Sequence, residues 1–297
     1  MSPELGIGEI VGLAHAHRRP AEHAPEEFTD NICMTPTHAH QPPATTVDRR
    51  ALLRTFDALL QPERFKDYGP NGLQVEGKQD VRKVVSGVTA SRAFIEAAIT
   101  AQADAIFVHH GLFWRGHDGR VSGWLKQRLA LLLAHDISLF AYHLPLDAHP
   151  VLGNNARLGE VLGLRADSRF GDQDLGFLGG WAHGREAVTV QALVQHLEHT
   201  LRRPVVCVQG APEAVKRIAW CSGGAQGFFE EAIAAGAQAF ITGEISEPQA
   251  HLARECGVTF LACGHHATER YGAPAVAAHV ATELGLVHQF IDIDNPA

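Results

Sequence analysis

No run of apolar residues in this 297-residue sequence approaches the ~20 that a membrane-spanning helix needs. A signal-peptide core is also missing near the start, so the chain reads as cytosolic, with no membrane partner. Cysteine is sparse. Cys33, Cys207, Cys221, Cys256 and Cys263 are odd in number and nowhere spaced as CxxC, so they read as reduced thiols that mostly pack as small hydrophobes. Positive charge is in deficit, with a formal net charge of −8, which argues against a protein that binds nucleic acid by neutralising phosphates but leaves room for a local basic lining. Walker A, GxGxxG, GxSxG and HExxH motifs are all missing, which removes most nucleotide-kinase, dehydrogenase, esterase and zincin readings.

What the chain does have is histidine, 19 copies, and an apolar fraction of 45%, enough for a sizeable core. Residues 1–46 mix Pro, His, Thr, Ala and Glu without apolar period and are expected to form a disordered tail. Its Thr37–His40 tract is expected to be solvated, and Met34 inside it is a candidate true start. Order is expected from Val47, where Asp48 caps a helix carrying Leu52, Leu53, Phe56, Leu59 and Leu60 on one side.

An internal repeat organises the body. Strand Val81–Val85, the Phe94–Ile99 part of helix Ser91–Ala101 and strand Ala105–Val108 return 134 positions later as Val215–Ala219, Phe228–Ile233 and Ala239–Thr242. Each unit reads as βαβ, which implies parallel strands buried on both faces. Each then continues into a helix (121–135; 247–256), a third strand (138–142; 258–262) and a polar cluster. The expected fold is therefore α/β, with two duplicated, interlocked halves and largely parallel sheets. The halves span residues 47–166 and 210–297, joined by a short connecting segment at 167–209.

Ligands of open α/β sheets bind beyond the carboxyl ends of the strands, where the polar clusters of this chain fall. His109-His110-Gly111 follows the buried run Ile106–Val108. Both imidazoles converge only if the strand ends there, and Gly111 permits the turn. Asp147 lies four residues past His143, and His265 with Glu269 share a helical face at i and i+4. Three histidines with two carboxylates suit a pair of divalent ions such as zinc, manganese or iron(II), set between the halves that supply one carboxylate each. His109, His110, Asp147, His265 and Glu269 are thus the expected metal ligands.

Other residues carry two readings. His143, His149 and His266 either orient ligands and shuttle protons or serve as surface and capping residues. Glu244, which falls where His110 falls in the first repeat, is either a general base or a helix N-terminal contact. The Asp67–Gln74 loop either lines a cleft or is a structural turn, and Cys263, just before Gly264-His265, is either a metal ligand or, the favoured expectation, a buried thiol.

Taken together, Asn71-Gly72-Leu73-Gln74, Val108-His109-His110-Gly111, His143-Leu144-Pro145-Leu146-Asp147-Ala148-His149-Pro150 with Gly153-Asn154-Asn155, Thr242-Gly243-Glu244 and Gly264-His265-His266-Ala267-Thr268-Glu269 are specific. With these motifs the sequence resembles the Nif-three-like, or dinuclear-metal-centre, family, many of whose members are labelled type-two GTP cyclohydrolase I homologues. The resemblance spans about residues 47 to 295 and implies two interlocked α/β halves, a toroidal homohexamer and two divalent metals per subunit facing the central cavity. Its ligands fall on the five residues already named, and the short connecting segment matches the compact form that lacks an inserted domain. The label implies a hydrolase that opens the GTP imidazole ring with loss of formate, with Glu244, His143 and His266 as candidate catalytic groups. The rival expectation is a non-catalytic, metal-stabilised ring that binds a partner protein or a nucleic-acid strand. Five ligands shared by two metals leave positions open for water, which favours the enzyme.

Overall fold

Strand-forming runs rich in Val, Ile, Phe and Ala alternate with short helices along the chain, and parallel strands joined by helices demand cover on both faces. The computed structural model describes residues 45–182, 187–211 and 213–297. The tail expectations for Met34, Cys33 and Thr37–His40 lie outside the described residues. Pro42–Ala297 forms one compact unit.

The elements run β1 (Val47–Asp48), α1 (Arg49–Leu60), β2 (Gly72–Val75), β3 (Asp80–Val81), β4 (Lys83–Thr89), α2 (Arg92–Thr100), β5 (Ala105–His110), α3 (Gly123–Ala134), β6 (Ser138–Ala141), α4 (Leu144–Ala148) and α5 (Asn154–Val161). Next come β7 (Leu164–Phe170), β8 (Gly176–Trp181), β9 (Val188–Thr189), α6 (Val190–Leu201), β10 (Val206–Val208), β11 (Ala214–Val215), β12 (Ile218–Trp220) and α7 (Phe229–Ala234). The chain closes with β13 (Ala239–Thr242), α8 (Glu247–Cys256), β14 (Thr259–Ala262), α9 (His265–Glu269), α10 (Gly272–Leu284) and β15 (Val287–Phe290).

Two mixed sheets result. One has the order β15-β4-β5-β6-β2, parallel except for β2; the other has the order β10-β14-β13-β12-β8-β7, with only β12, β13 and β14 mutually parallel. The first sheet is thus antiparallel only at its β2 edge, as a largely parallel sheet allows, whereas the second is antiparallel at both edges. Along β5 successive residues are buried against opposite cores, as a strand covered on both faces requires. Ala105 and Phe107 pack with Leu52, Phe56 and the α10 residues Val276 and Val280, while Ile106 and Val108 pack with Phe94, Ile95 and Leu132.

The chain exchanges elements between the sheets. Leu158 and Leu162, on and just after α5, pack into the core of the second sheet, which β7 and β8 then join; α10 covers the first sheet and β15 pairs with β4 there. The expected strands Val81–Val85 and Val215–Ala219 are each broken in two. Their first parts pair antiparallel with β1 and β9, in separate two-stranded ribbons. Asp104 accepts hydrogen bonds from the Arg82 and Lys83 amides at the first break (2.8 and 3.0 Å), and Gln238 does the same for Lys216 and Arg217 at the second (2.8 and 3.0 Å).

Candidate metal centre

The carboxyl ends of β5 and β6 and of β13 and β14 carry the polar clusters. His109 and His110 are the last two residues of β5, and Thr89 pairs with His110 in the ladder. The strand therefore does not stop before them as expected, yet the rings still converge, with centroids 4.5 Å apart. Gly111 has no positive φ. A side chain there would instead collide with Gln74, whose Oε1 accepts from the Leu112 amide at 2.8 Å. Asp147 sits on α4, while His265 and Glu269 begin and end α9.

Four imidazoles are held by their outer nitrogen. His109 Nδ1 meets the Tyr142 carbonyl (3.1 Å), His110 Nδ1 the Thr89 hydroxyl (3.0 Å), His143 Nδ1 the Asp67 carboxylate (2.7 Å) and His265 Nδ1 the Glu244 carboxylate (2.6 Å). A carbonyl or carboxylate partner makes Nδ1 the donor, so Nε2 is left to face inward, as in metal-binding histidines.

The inward separations have a different character. Glu269 Oε1 lies 3.3 Å from His109 Nε2, while Oε2 lies 3.3 Å from His110 Nε2 and 3.1 Å from His265 Nε2. Asp147 Oδ1 is 3.5 Å from His109 Nε2. Charge-assisted hydrogen bonds are shorter, at ~2.7–2.9 Å. Donor atoms on one ion with bonds of about 2.1 Å stand roughly 3.0–3.4 Å apart. His109 Nε2 and Glu269 Oε2 are also buried without a sound hydrogen bond. Orphaned buried polar atoms are costly, and a cation among them removes the cost. Three three-residue groups among the described residues have the spacing to hold a metal ion, His109/His110/His143, His110/His265/Glu269 and His109/Asp147/Glu269, and the last two share Glu269.

Without a cation the cluster balances its charge with protons. Burial alone would lower the His109 pKa, but Asp147 and Glu269 outweigh it and raise it to about 9. His265 rises to about 9 for the same reason, against its own burial, through Glu269 and Glu244. His110, where burial dominates, falls to about 3. Burial pushes the Asp147 carboxyl up; Glu269 is also buried, but the surrounding histidines hold it well below the usual carboxylate range. Asp147 is itself fixed, accepting from Asn154 Nδ2 (2.9 Å) and Ser222 Oγ (3.2 Å). A cavity of about 350 Å³ opens over the cluster, lined by Tyr68, His143, Asp147, Phe228, His265 and Glu269 among others.

Residues 47–296 match the family model described as Duf34/NIF3 (NGG1p interacting factor 3). The chain belongs to the DUF34/NIF3 family. A Neisseria meningitidis serogroup A protein named GTP cyclohydrolase 1 type 2 homolog is 50% identical over 249 residues, covering 84% of this chain and 99% of the relative. A Pseudomonas aeruginosa protein of the same name is 46% identical over 250 residues, covering 83% and 97%. Among solved structures, protein ybgI, of unknown function, matches with a TM-score of 0.81 at 44% identity, covering 84% of this chain and all of that one (100%). A Thermus thermophilus structure matches with a TM-score of 0.77 at 34% identity, covering 84% and 100%.

In this DUF34/NIF3 chain the five expected ligands meet at one point, and His143 joins them, its ring 4.9 Å from that of His109. Glu244 reaches the cluster through His265, while the cap of α8 is made by Ser246 and Gln249. His266 is not brought in: its Nε2 bonds Asp292 at 2.8 Å. His149 Nδ1 accepts from the Leu152 amide at 3.0 Å, and Cys263 is a buried core thiol. Of the expected Asp67–Gln74 loop, Gly72–Gln74 are strand β2, paired with β6, and the turn before it does both things weighed for the loop. Asn71 bridges Asp67 and the His143 amide, at 2.9 and 2.7 Å, and the loop edges the cavity. Ser222 was missed as a site residue, and what Asp67 and Asn154 touch is shown only by the folded chain.

Proposed function

We propose that this protein holds two divalent cations between its sheets and is a metal-dependent hydrolase, with GTP as the substrate to test first. The observation that carries the reading is Glu269, whose two oxygens face different histidines in two ligand groups, as a carboxylate shared by two ions would. His109 and Asp147 would complete one site, His110 and His265 the other. Zinc, manganese and iron(II) suit this donor set. Such ions supply Lewis acidity and lower the pKa of water near neutral pH.

The side chains around them have separable tasks. Asp67 holds Nδ1 of His143, so Nε2 of that ring is available at the cavity to take or return a proton. Glu244 keeps His265 in the tautomer that presents Nε2, and a general-base role for Glu244 is a further part of the proposal. The name carried by the Neisseria and Pseudomonas relatives supports GTP ring opening with formate release. Family membership supports a homohexameric ring as the assembly.

The decisive assay reconstitutes the protein with zinc, manganese or iron(II) and follows formate release from GTP alongside metal content. Release that disappears with Asp147→Ala and Glu269→Ala, together with metal loss, is expected. Metal bound without hydrolysis of GTP, phosphoesters or amides would sink the enzyme reading and leave the non-catalytic ring.

A further inference from the structure

Tyr68 is a large aromatic side chain with 58% of its surface exposed, yet it is not on a loose loop. Its carbonyl accepts from the Arg115 amide at 2.6 Å, the Arg115 guanidinium bonds the neighbouring Asp67 carbonyl at 2.6 Å, and that guanidinium also sits 5.7 Å from the Tyr68 ring centre. The next residue, Gly69, lies so close to the Phe113 carbonyl that a side chain there would overlap it. The backbone is thus pinned on both sides of a ring left in solvent.

The ring lines the same cavity as Asp147, His265 and Glu269, and one edge meets His143 with centroids 6.0 Å apart. Its hydroxyl has no hydrogen-bond partner among the described residues. An exposed ring held rigid loses little conformational entropy when something packs on it, which is why Tyr serves so often as a recognition anchor. Phe228 supplies a second aromatic to the lining.

We propose that Tyr68 is the specificity-determining residue of the metal cavity. It stacks on a flat aromatic or heteroaromatic ring of a ligand whose anionic group is drawn to the His–carboxylate cluster. This rests on the metal reading above and narrows the substrate class to anionic compounds that carry such a ring. The stacking role needs the ring of Tyr68 and not its hydroxyl.

Binding of phenylphosphonate and methylphosphonate to the metal-loaded protein tests this directly, since both present the same anion and only one carries a ring. In the native protein the phenyl compound is expected to bind roughly tenfold tighter or more, the size of an aromatic stacking contribution. Tyr68→Ala should abolish that preference without weakening methylphosphonate, and Tyr68→Phe should keep it. Equal affinity of the native protein for both, no binding of either by metal-loaded protein, or a preference that survives Tyr68→Ala overturns the assignment. Metal content, measured on the same samples, separates the two readings. A protein that takes up no metal overturns both, whereas a loaded protein without ring preference overturns this one alone.

Discussion

Glu244 Oε1 accepts a 2.6 Å hydrogen bond from Nδ1 of His265, while Nε2 of the same ring stands 3.1 Å from Glu269. The carboxylate therefore sets which nitrogen of His265 faces the cluster. Losing such an outer partner typically costs metal affinity rather than fold. Glu244→Gln, which keeps the shape but not the charge, should weaken metal binding roughly tenfold to hundredfold with little change in melting temperature. Titration with a competing chelator measures it, and unchanged affinity would remove Glu244 from the site.

Gly223 packs against the cluster with φ +66°, and a Cβ there would overlap Glu269 Oε1 and lie 3.2 Å from His265 Nε2. Gly223→Ala should therefore displace Glu269, the carboxylate common to both ligand groups. The expected result is loss of most bound metal, with only about 1–2 kcal/mol of stability lost to the left-handed backbone. Metal analysis paired with denaturant unfolding separates the two effects. A variant with full metal content would mean that Glu269 is not shared.

The metal-free cluster holds protons that a metal must displace. His109 and His265 both have pKa values raised to about 9, so both are charged at neutral pH and must become neutral to ligate. Metal uptake at pH 7 should release about two protons, and apparent affinity should rise with pH until about 9, where the rings are already neutral. Calorimetry in buffers of different ionisation enthalpy counts the protons. A heat independent of buffer would contradict the assignment.

Asp104 ties the break between β3 and β4, accepting from the amides of Arg82 and Lys83 and pairing with Lys78 at 2.7 Å. Burial alone would raise its pKa, but these partners win and lower it below its ordinary value. Its contribution is then complete above the unfolded value and disappears as pH falls through the lower folded one. Asp104→Ala should cost about 2 kcal/mol at neutral pH, and the gap to the native protein should narrow in acid. Urea unfolding at neutral and acidic pH checks both. A gap that widens in acid would reverse the sign.

Much of the site was legible because its residues follow buried strands whose apolar runs are unmistakable. His109 and His110 extend Ala105–Val108, and His265 with Glu269 sit one helical turn apart. What Asp67, Asn154 and Ser222 touch was not legible. Asp67 is 76 residues from His143, and Ser222 is 75 from Asp147. No local period links such positions.

The sequence alone determined the central strands of each half and the helices between them, that both faces of those strands are covered, and which polar residues stand at the strand ends. These follow from periodicity and side-chain chemistry, which act over a few residues. Only the tertiary structure decided that β15 pairs in the first sheet while β7 and β8 join the second, and that Asp147 and Glu269 approach the same histidine. It also decided that Asn154 holds Asp147 with its amide group while accepting from the Gly272 amide of α10 at 2.8 Å. Those outcomes depend on how sheets and helices far apart in the chain bury their apolar faces against one another, and that packing is a property of the whole fold.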